Sequence, residues 1–297
     1  MPKSLPLLLL FAPTLLGSGC VDNTLVARPF DDVAVVSGDL DRMELTLDRL
    51  ETPYQVYEGY ICCASYDPDI DPSTIALHME SLFANDENNK PELFRYDALL
   101  LNSGVRGFGA YQYNGVEADD SVVGDPERLE ILRTYVEDNG RVLVVSDWSY
   151  DIVEALWPDA VTFYGDETAL DAAQLGSPGQ VDAAVRDESL SAALGQDTLS
   201  IELNYSYWAV MTAVGPDTDV YLTGSVEYRI SESEGYDVLD GAPLLISFKA
   251  GQGTVVYSSF HWNTQTPAMA EITLGNIVDG FSGSRSGGAS TEDSNAQ

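Results

Sequence analysis

Lysine is nearly missing from this sequence. Lys3, Lys90 and Lys249 are the three copies, and with arginine they make 14 bases against 48 acids, a formal charge of −34. A surface of that sign repels phosphate backbones, so nucleic acid is not expected as a partner. Anionic lipid headgroups are excluded on the same ground. Cysteine is scarce too. Cys20, Cys62 and Cys63 form no C-x-x-C spacing, which argues against a zinc site. No apolar run is long enough for a stable membrane span, which needs about 20 residues. No internal repeat is present.

What the chain does have is acid spread evenly along 297 residues, with 44% hydrophobic residues to bury. The length fits one large domain or two small ones. Dispersed acids read first as a solubilising coat, which also suits hydration in high salt; cation binding is the alternative.

The first twenty residues, "MPKSLPLLLLFAPTLLGSGC", carry one cation at Lys3, an apolar run from Leu5 to Leu16 and then small residues. This is the pattern of a signal peptide over 1–19. The ending Leu16-Gly17-Ser18-Gly19-Cys20 resembles a bacterial lipobox, although the aliphatic residue stands four rather than three before the cysteine. The resemblance implies lipidation of Cys20, a tether over 20–29, and an exported protein of the bacterial cell envelope, held as an outer-membrane or surface lipoprotein. Ordinary cleavage after Gly19 is the alternative. In an oxidising compartment Cys62 and Cys63, in "YICCASY", form either a vicinal disulfide or a buried apolar pair at a strand end.

From residue 30 to 280 the pattern alternates. "DDVAVVSGD", "YDALLLNSG", "RVLVVSD" and "GTVVYSSFH" are apolar runs of the kind that form strands buried on both faces. "LDRMELTLDRLE" and "ERLEILRTYVEDNG" have helical spacing. The second is opened by Asp125-Pro126 and stopped by Asn139-Gly140. A further helix is expected near 73–84, capped by Ser73 or Asp71, and another over "WSYDIVEALWP", ended by Pro158. "TPYQVYEGY" reads as a strand. The second half is richer in β: "TLSIELNYSYWAVMTAV" and "DVYLTGSVEYRI" as strands, and "PLLISFKAGQGTVVYSSFH" as a hairpin. "TPAMAEITLGNIV" is a last helix, and 281–297 a polar, disordered tail. The fold class is α/β, a doubly wound, mostly parallel sheet with added β segments in the C-terminal half.

The order of these elements resembles the class I glutamine amidotransferase-like fold, on three short segments. In "YDALLLNSG", Asn102-Ser103-Gly104 stand where the family places an oxyanion turn. In "GRVLVVSDWSYDIVEAL", Ser146 stands where the family has its nucleophilic cysteine. In "GQGTVVYSSFHWN", Phe260-His261 match a Phe-His-x-Glu ending whose histidine is the general base, with Asn263 in place of the glutamate. The departures matter. Val144 and Trp148 flank the turn where the family has glycine, serine is a weaker nucleophile than cysteine, and Asn263 cannot stabilise an imidazolium. The resemblance therefore implies a non-catalytic branch without glutaminase activity.

Loops after parallel strands gather at one edge, so Asp39, Asn102, Ser103, Asp147, Trp148 and His261 are candidates for a common site. Each has a plainer reading. His261 closes a strand, and Asp147 caps the helix that follows. Asp67, Asp69 and Asp71 alternate as calcium ligands do, but Pro72 and His78 stand where an EF-hand loop wants Gly and Glu, so a solvated capping loop is the stronger reading. In the insertion "GVRGFGAYQYNGVEADD", Phe108, Tyr111 and Tyr113 either line a binding loop or tuck onto the sheet edge. Calcium is the one cofactor hinted at. Two functions follow: an exported, lipid-anchored domain that binds a ligand or an envelope protein, or a Ser146/His261 hydrolase acting on an envelope or extracellular substrate. If Cys20 is lipidated, Cys20→Ser shifts the mature protein from the detergent phase to the aqueous phase in a partition assay; equal partitioning of both forms removes the anchor.

Overall fold

Four strands buried on both faces form the middle of the molecule in the computed structural model, which describes residues 32–38, 40–59, 78–104, 122–165, 173–204, 208–231 and 234–275. Cys20, Asp39, Cys62, Cys63, Asp67, Asp69, Asp71, Phe108, Tyr111 and Tyr113, with the expected signal peptide over 1–19 and the expected polar tail over 281–297, lie outside the described residues. The first half runs β1 (Val33–Val36), α1 (Glu44–Arg49), β2 (Tyr54–Tyr57), β3 (Ala98–Leu101), α2 (Pro126–Glu137), β4 (Val142–Ser146), α3 (Asp151–Leu156) and β5 (Val161–Phe163). The second half runs β6 (Gln174–Gly176), β7 (Gly179–Val185), α4 (Glu188–Leu194), β8 (Thr198–Leu203), β9 (Trp208–Ala209), β10 (Met211–Val214), β11 (Thr218–Ser231), β12 (Gly235–Ala250) and β13 (Gly253–Ser258). A last helix, α5, occupies 267–275.

The order β2-β1-β3-β4-β13 is parallel throughout. Parallel neighbours need crossovers, and the crossovers put helices on both faces. β1 shows the result. Ala34 and Val36 pack toward Leu132, Tyr135 and Val136 of α2 and Ile152 and Val153 of α3. Val33 and Val35 pack toward Met43, Leu47 and Met269, Ala270 and Leu274 of α5. The fold is therefore a doubly wound α/β sheet. Beyond β13 it turns antiparallel: β12 pairs with β13 and β11 with β12, and β11 carries β6 and β7, so the sheet is mixed. β5 and β10 form a separate two-stranded sheet.

The local signals explain most boundaries. Asp125 accepts hydrogen bonds from the backbone N–H groups of Glu127 and Arg128, so α2 starts at the Asp-Pro pair. Gly140, at φ 65°, takes the left-handed turn that ends the same segment. Three expectations need correction. The described part of the helix expected over 73–84 is a single 3-10 turn, Met79–Leu82, entered through His78. "TLSIELNYSYWAVMTAV" is not one strand: β8, β9 and β10 leave it for three different partners, β7, β6 and β5. The helix α4 is an addition to the sequence-based reading, although Asp187 caps its start and Gly195 ends it in the left-handed region at φ 69°. Among the described residues no helix is long and apolar enough to cross a membrane.

Candidate functional site

The carboxyl ends of β1, β3, β4 and β13 meet where strand order reverses between β1 and β3, the crevice in which open α/β sheets bind ligands. Gly38 lets the first two loops touch, since a Cβ there would lie 2.3 Å from the Ser103 carbonyl oxygen. Asp41 ties the rest together. Its buried carboxylate accepts from Ser146 Oγ at 2.6 Å, from the Trp262 and Asn263 backbone N–H groups at 3.0 and 3.1 Å, and from Arg42 N–H at 2.7 Å. Four donors satisfy a buried charge that would otherwise be costly. The same carboxylate sits at the start of the 3-10 turn Trp262–Thr264, so one side chain joins the loops after β1, β4 and β13.

The turn after β4 is sharp. Asp147 has φ 36°, a left-handed conformation that Asp tolerates better than most side chains. Its side chain is wholly buried. Oδ1 accepts the Ala209 N–H at 2.9 Å, and Oδ2 lies 3.0 Å from His261 Nε2. The His261 ring is fixed at its other nitrogen by Asn204 Oδ1, 3.1 Å from Nδ1. With an amide oxygen as its partner, Nδ1 carries a proton. The pair then shares a second proton along the line from Nε2 to Oδ2, either as carboxylate and imidazolium or as two neutral groups. Ser103 Oγ stands 3.0 Å from Nε2 and accepts the Trp148 N–H at 3.3 Å.

Burial pushes the Asp147 carboxyl above the usual carboxylate range, and the hydrogen bond and charge of His261 pull it back only in part. For His261, burial works against protonation but loses to the hydrogen bond and charge of Asp147, with a further contribution from Asp41. The imidazole is therefore raised. The pair therefore keeps its shared proton more firmly in the folded state than the imidazole does in the unfolded chain.

This constellation is closed. The recess bordered by Asp147, Leu203, Asn204, Trp208, Ser259, Phe260 and His261 has no room for a water molecule. β9 does the closing. Its Ala209 is held at both ends of its peptide unit, by Asp147 and by Ser259 Oγ at 2.9 Å to its carbonyl. Trp208 is seated flat on Gly176, where a Cβ would come within 2.0 Å of the indole, and its Nε1–H donates to Ser177 O at 2.8 Å. Among the described residues, β9 and the end of β8 border the Asp147–His261 contact.

The candidates from the sequence sort as follows. Asn102, Ser103, Gly104, Ser146, Asp147, Trp148 and His261 do gather at one edge. Ser146, the candidate nucleophile, has its hydroxyl on Asp41 and on Phe260 O at 3.3 Å, not on His261. The strained turn position belongs to Asp147, one residue later. Asp147 does not cap the helix as expected; its carboxylate faces Ala209 and His261 instead. Asn263 does not stand behind His261, and Asn204 takes that place. Asn102 is spent on structure: Oδ1 accepts Met43 N–H at 2.8 Å and Nδ2 donates to Glu44 at 3.0 Å. Asp41, Asn204 and β9 are absent from the sequence-based reading. The usable signal for Asp41 is its position just after an apolar strand. Among the described residues no cluster of three or more metal-ligating side chains is present.

No family model matches the chain, and no curated protein sequence matches it. Solved structures similar in outline include a candidate GMP synthase component from Thermoplasma acidophilum, 11% identical with TM-score 0.47, covering 86% of this chain and 96% of that one. PurLQS from Thermotoga maritima is 9% identical with TM-score 0.45, covering 84% and 98%. A glutamine amidotransferase from the same organism is 11% identical with TM-score 0.41, covering 86% and 85%. Similarity of this degree transfers no activity, ligand or site residue.

The buried pair makes a stability prediction. His261→Ala leaves the Asp147 carboxylate unpaired and costs about 3 kcal/mol in urea unfolding near neutral pH. Asp147→Asn keeps the Ala209 bond, and the double variant costs less than the sum of the singles, by about 1–3 kcal/mol. Because both pKa values are raised, folding takes up protons. The stabilisation from His261 is full below its unfolded value of about 6.5 and is lost as pH rises through the higher folded value. Wild type therefore loses stability above neutrality, while His261→Ala shows a flatter profile. Additive effects and parallel pH profiles would refute the coupling.

Proposed function

We propose that the chain is an exported, lipid-anchored binding protein of the bacterial envelope, whose amidotransferase-like domain performs neither glutamine hydrolysis nor acyl transfer. The observation that carries this is Asp147 in the sharp turn after β4. Amidotransferase-type acyl transfer at that position needs a thiol or hydroxyl open to substrate. Here the side chain is a carboxylate with both oxygens engaged, beneath a strand that leaves no space for water. Nothing in that arrangement can form an acyl intermediate without first breaking the lock.

The closed edge suits a domain whose loops are held rigid to present a surface. The anchor supplies the membrane, since an acidic domain has no attraction of its own to anionic lipid. The partner on this reading is a ligand or an envelope protein, with no role for nucleic acid. Calcium at Asp67, Asp69 and Asp71 remains a subsidiary proposal from their alternation.

A second reading rests on one distance. Ser103 Oγ is 3.0 Å from His261 Nε2, within reach for a serine and its base, and the imidazole is oriented from behind by Asn204. This moves the hydrolase alternative from Ser146 to Ser103. Two facts weigh against it. Asp147 competes for the same nitrogen, and the Trp148 N–H points at Ser103 itself and not at a developing oxyanion.

The two readings separate in one experiment. A fluorophosphonate probe for reactive serines is applied to wild type, Ser103→Ala and His261→Gln, with ammonia release from glutamine measured alongside. The binding reading expects no labelling and no ammonia in any form. Labelling at Ser103 that vanishes in His261→Gln would establish the hydrolase, because nucleophile and base fail as a unit. Labelling at Ser146 would restore the serine suggested by the sequence.

A further inference from the structure

The opposite edge of the sheet carries a second cleft, of about 490 Å³, lined by Asp86, Lys90, Pro91, Phe94, Arg95, Asn139 and Arg141. That volume lies in the range of small-molecule sites, roughly 300–1,000 Å³. Three of the 14 bases in a chain of charge −34 line this one space. For a protein so poor in cations, that is a local gathering of bases, set beside the acids Asp86, Glu92 and Asp97.

The walls are built, not frayed. Asp86 closes the turn that presents Lys90: its carboxylate accepts the Asn88 and Lys90 backbone N–H groups at 2.8 and 3.0 Å, and its own N–H donates to Lys90 O at 2.7 Å. These bonds hold the Asp86 carboxyl below the usual range, the Lys90 backbone first among them, so the acid in the lining is occupied by its own turn. Arg95 pairs with Glu92 at 2.5 Å and lies over the Tyr96 ring, 5.1 Å from its centroid. Arg141, placed by the left-handed Gly140, pairs with Asp97 at the start of β3. The Lys90 ammonium, whose charge is felt by Asp86, and the Asn139 side-chain amide are exposed and make no hydrogen bond or ion pair among the described residues, and Arg141 Nε is buried without a hydrogen-bond partner. Phe94, half-buried against the core, and Pro91 add an apolar wall.

We propose that this cleft is a binding site for a small organic carboxylate with an aromatic or other flat apolar body. The carboxylate would take the Lys90 ammonium and the Asn139 amide, with Arg95 and Arg141, paired to Glu92 and Asp97, forming the polar wall beside them. The body would lie on Phe94 and Pro91. Charge-assisted hydrogen bonds supply the selectivity for the anion, and the apolar wall supplies contact area. The site is at the far edge of the sheet from the Asp147–His261 contact and depends neither on that contact nor on the anchor.

The test uses benzoate as the probe, with benzamide as its uncharged counterpart, titrated into the mature chain at fixed ionic strength and followed by ¹H–¹⁵N NMR. Lys90→Gln and Asn139→Ala are compared with wild type. Both residues lie on surface turns outside helices and strands, and unchanged melting temperatures verify that the variants stay folded. The expected result is saturable binding of benzoate with shifts at Phe94, Asn139 and the 86–90 turn, benzamide weaker by about tenfold, and benzoate weakened by about tenfold in Lys90→Gln. Absence of saturable benzoate binding, equal affinity for benzamide, or an affinity untouched by Lys90→Gln would each overturn the proposal.

Discussion

The contact between Asp147 Oδ2 and His261 Nε2 joins residues 114 apart in sequence, at the ends of two neighbouring parallel strands. Both side chains are almost completely hidden from water. Burying an acid and a base is costly, and the cost is offset only if each remaining lone pair and proton finds a partner. Here they do. Ala209 N–H serves the other carboxylate oxygen, Asn204 the other ring nitrogen, and Ser103 the shared side of Nε2. Each of those partners belongs to a different segment. The requirement to satisfy one buried pair thus fixes the loop after β3, the end of β8 and the short strand β9 at the same time.

Asp41 does the same work beside the pair. Its four donors come from its own loop, from the last residue of β4 and from the two residues after His261. The two carboxylates divide the edge between them. Asp41 sets where the strand ends stand, and Asp147 sets what covers them. The Asp147–His261 contact is buried, and the recess beside it has no room for water. Among the described residues, the polar groups at this edge are largely turned toward one another.

Much of the frame was legible in the sequence. Strands buried on both faces must be apolar at nearly every position, so "VAVV", "ALLL", "VLVV" and "GTVVYS" announced themselves. The start of α2 was legible because Asp125 and Pro126 act locally. The site was legible only in outline. That Ser146, Asp147 and His261 would meet followed from topology, but which of the first two occupies the turn depends on one backbone angle, which no residue pattern states. Asp41 could not be told from an acidic coat, since burial alone distinguishes it from its many neighbours in type. β9 was hidden for a different reason. Its two residues pair through a distant strand, and only the packing of Trp208 on Gly176 gives it a place.

The protonation of His261 is the most direct test of the sealed pair. Selective ¹⁵N labelling of histidine reports the state of each ring nitrogen across a pH titration. A sealed pair predicts a Nδ1 that stays protonated, and a proton between Nε2 and Asp147 that is held above the ordinary imidazole value of about 6.5 and exchanges slowly with solvent. An imidazole that titrates freely near that value, with rapidly exchanging ring protons, would contradict it, because a ring open to water cannot be the member of a sealed pair that closes the edge of the sheet.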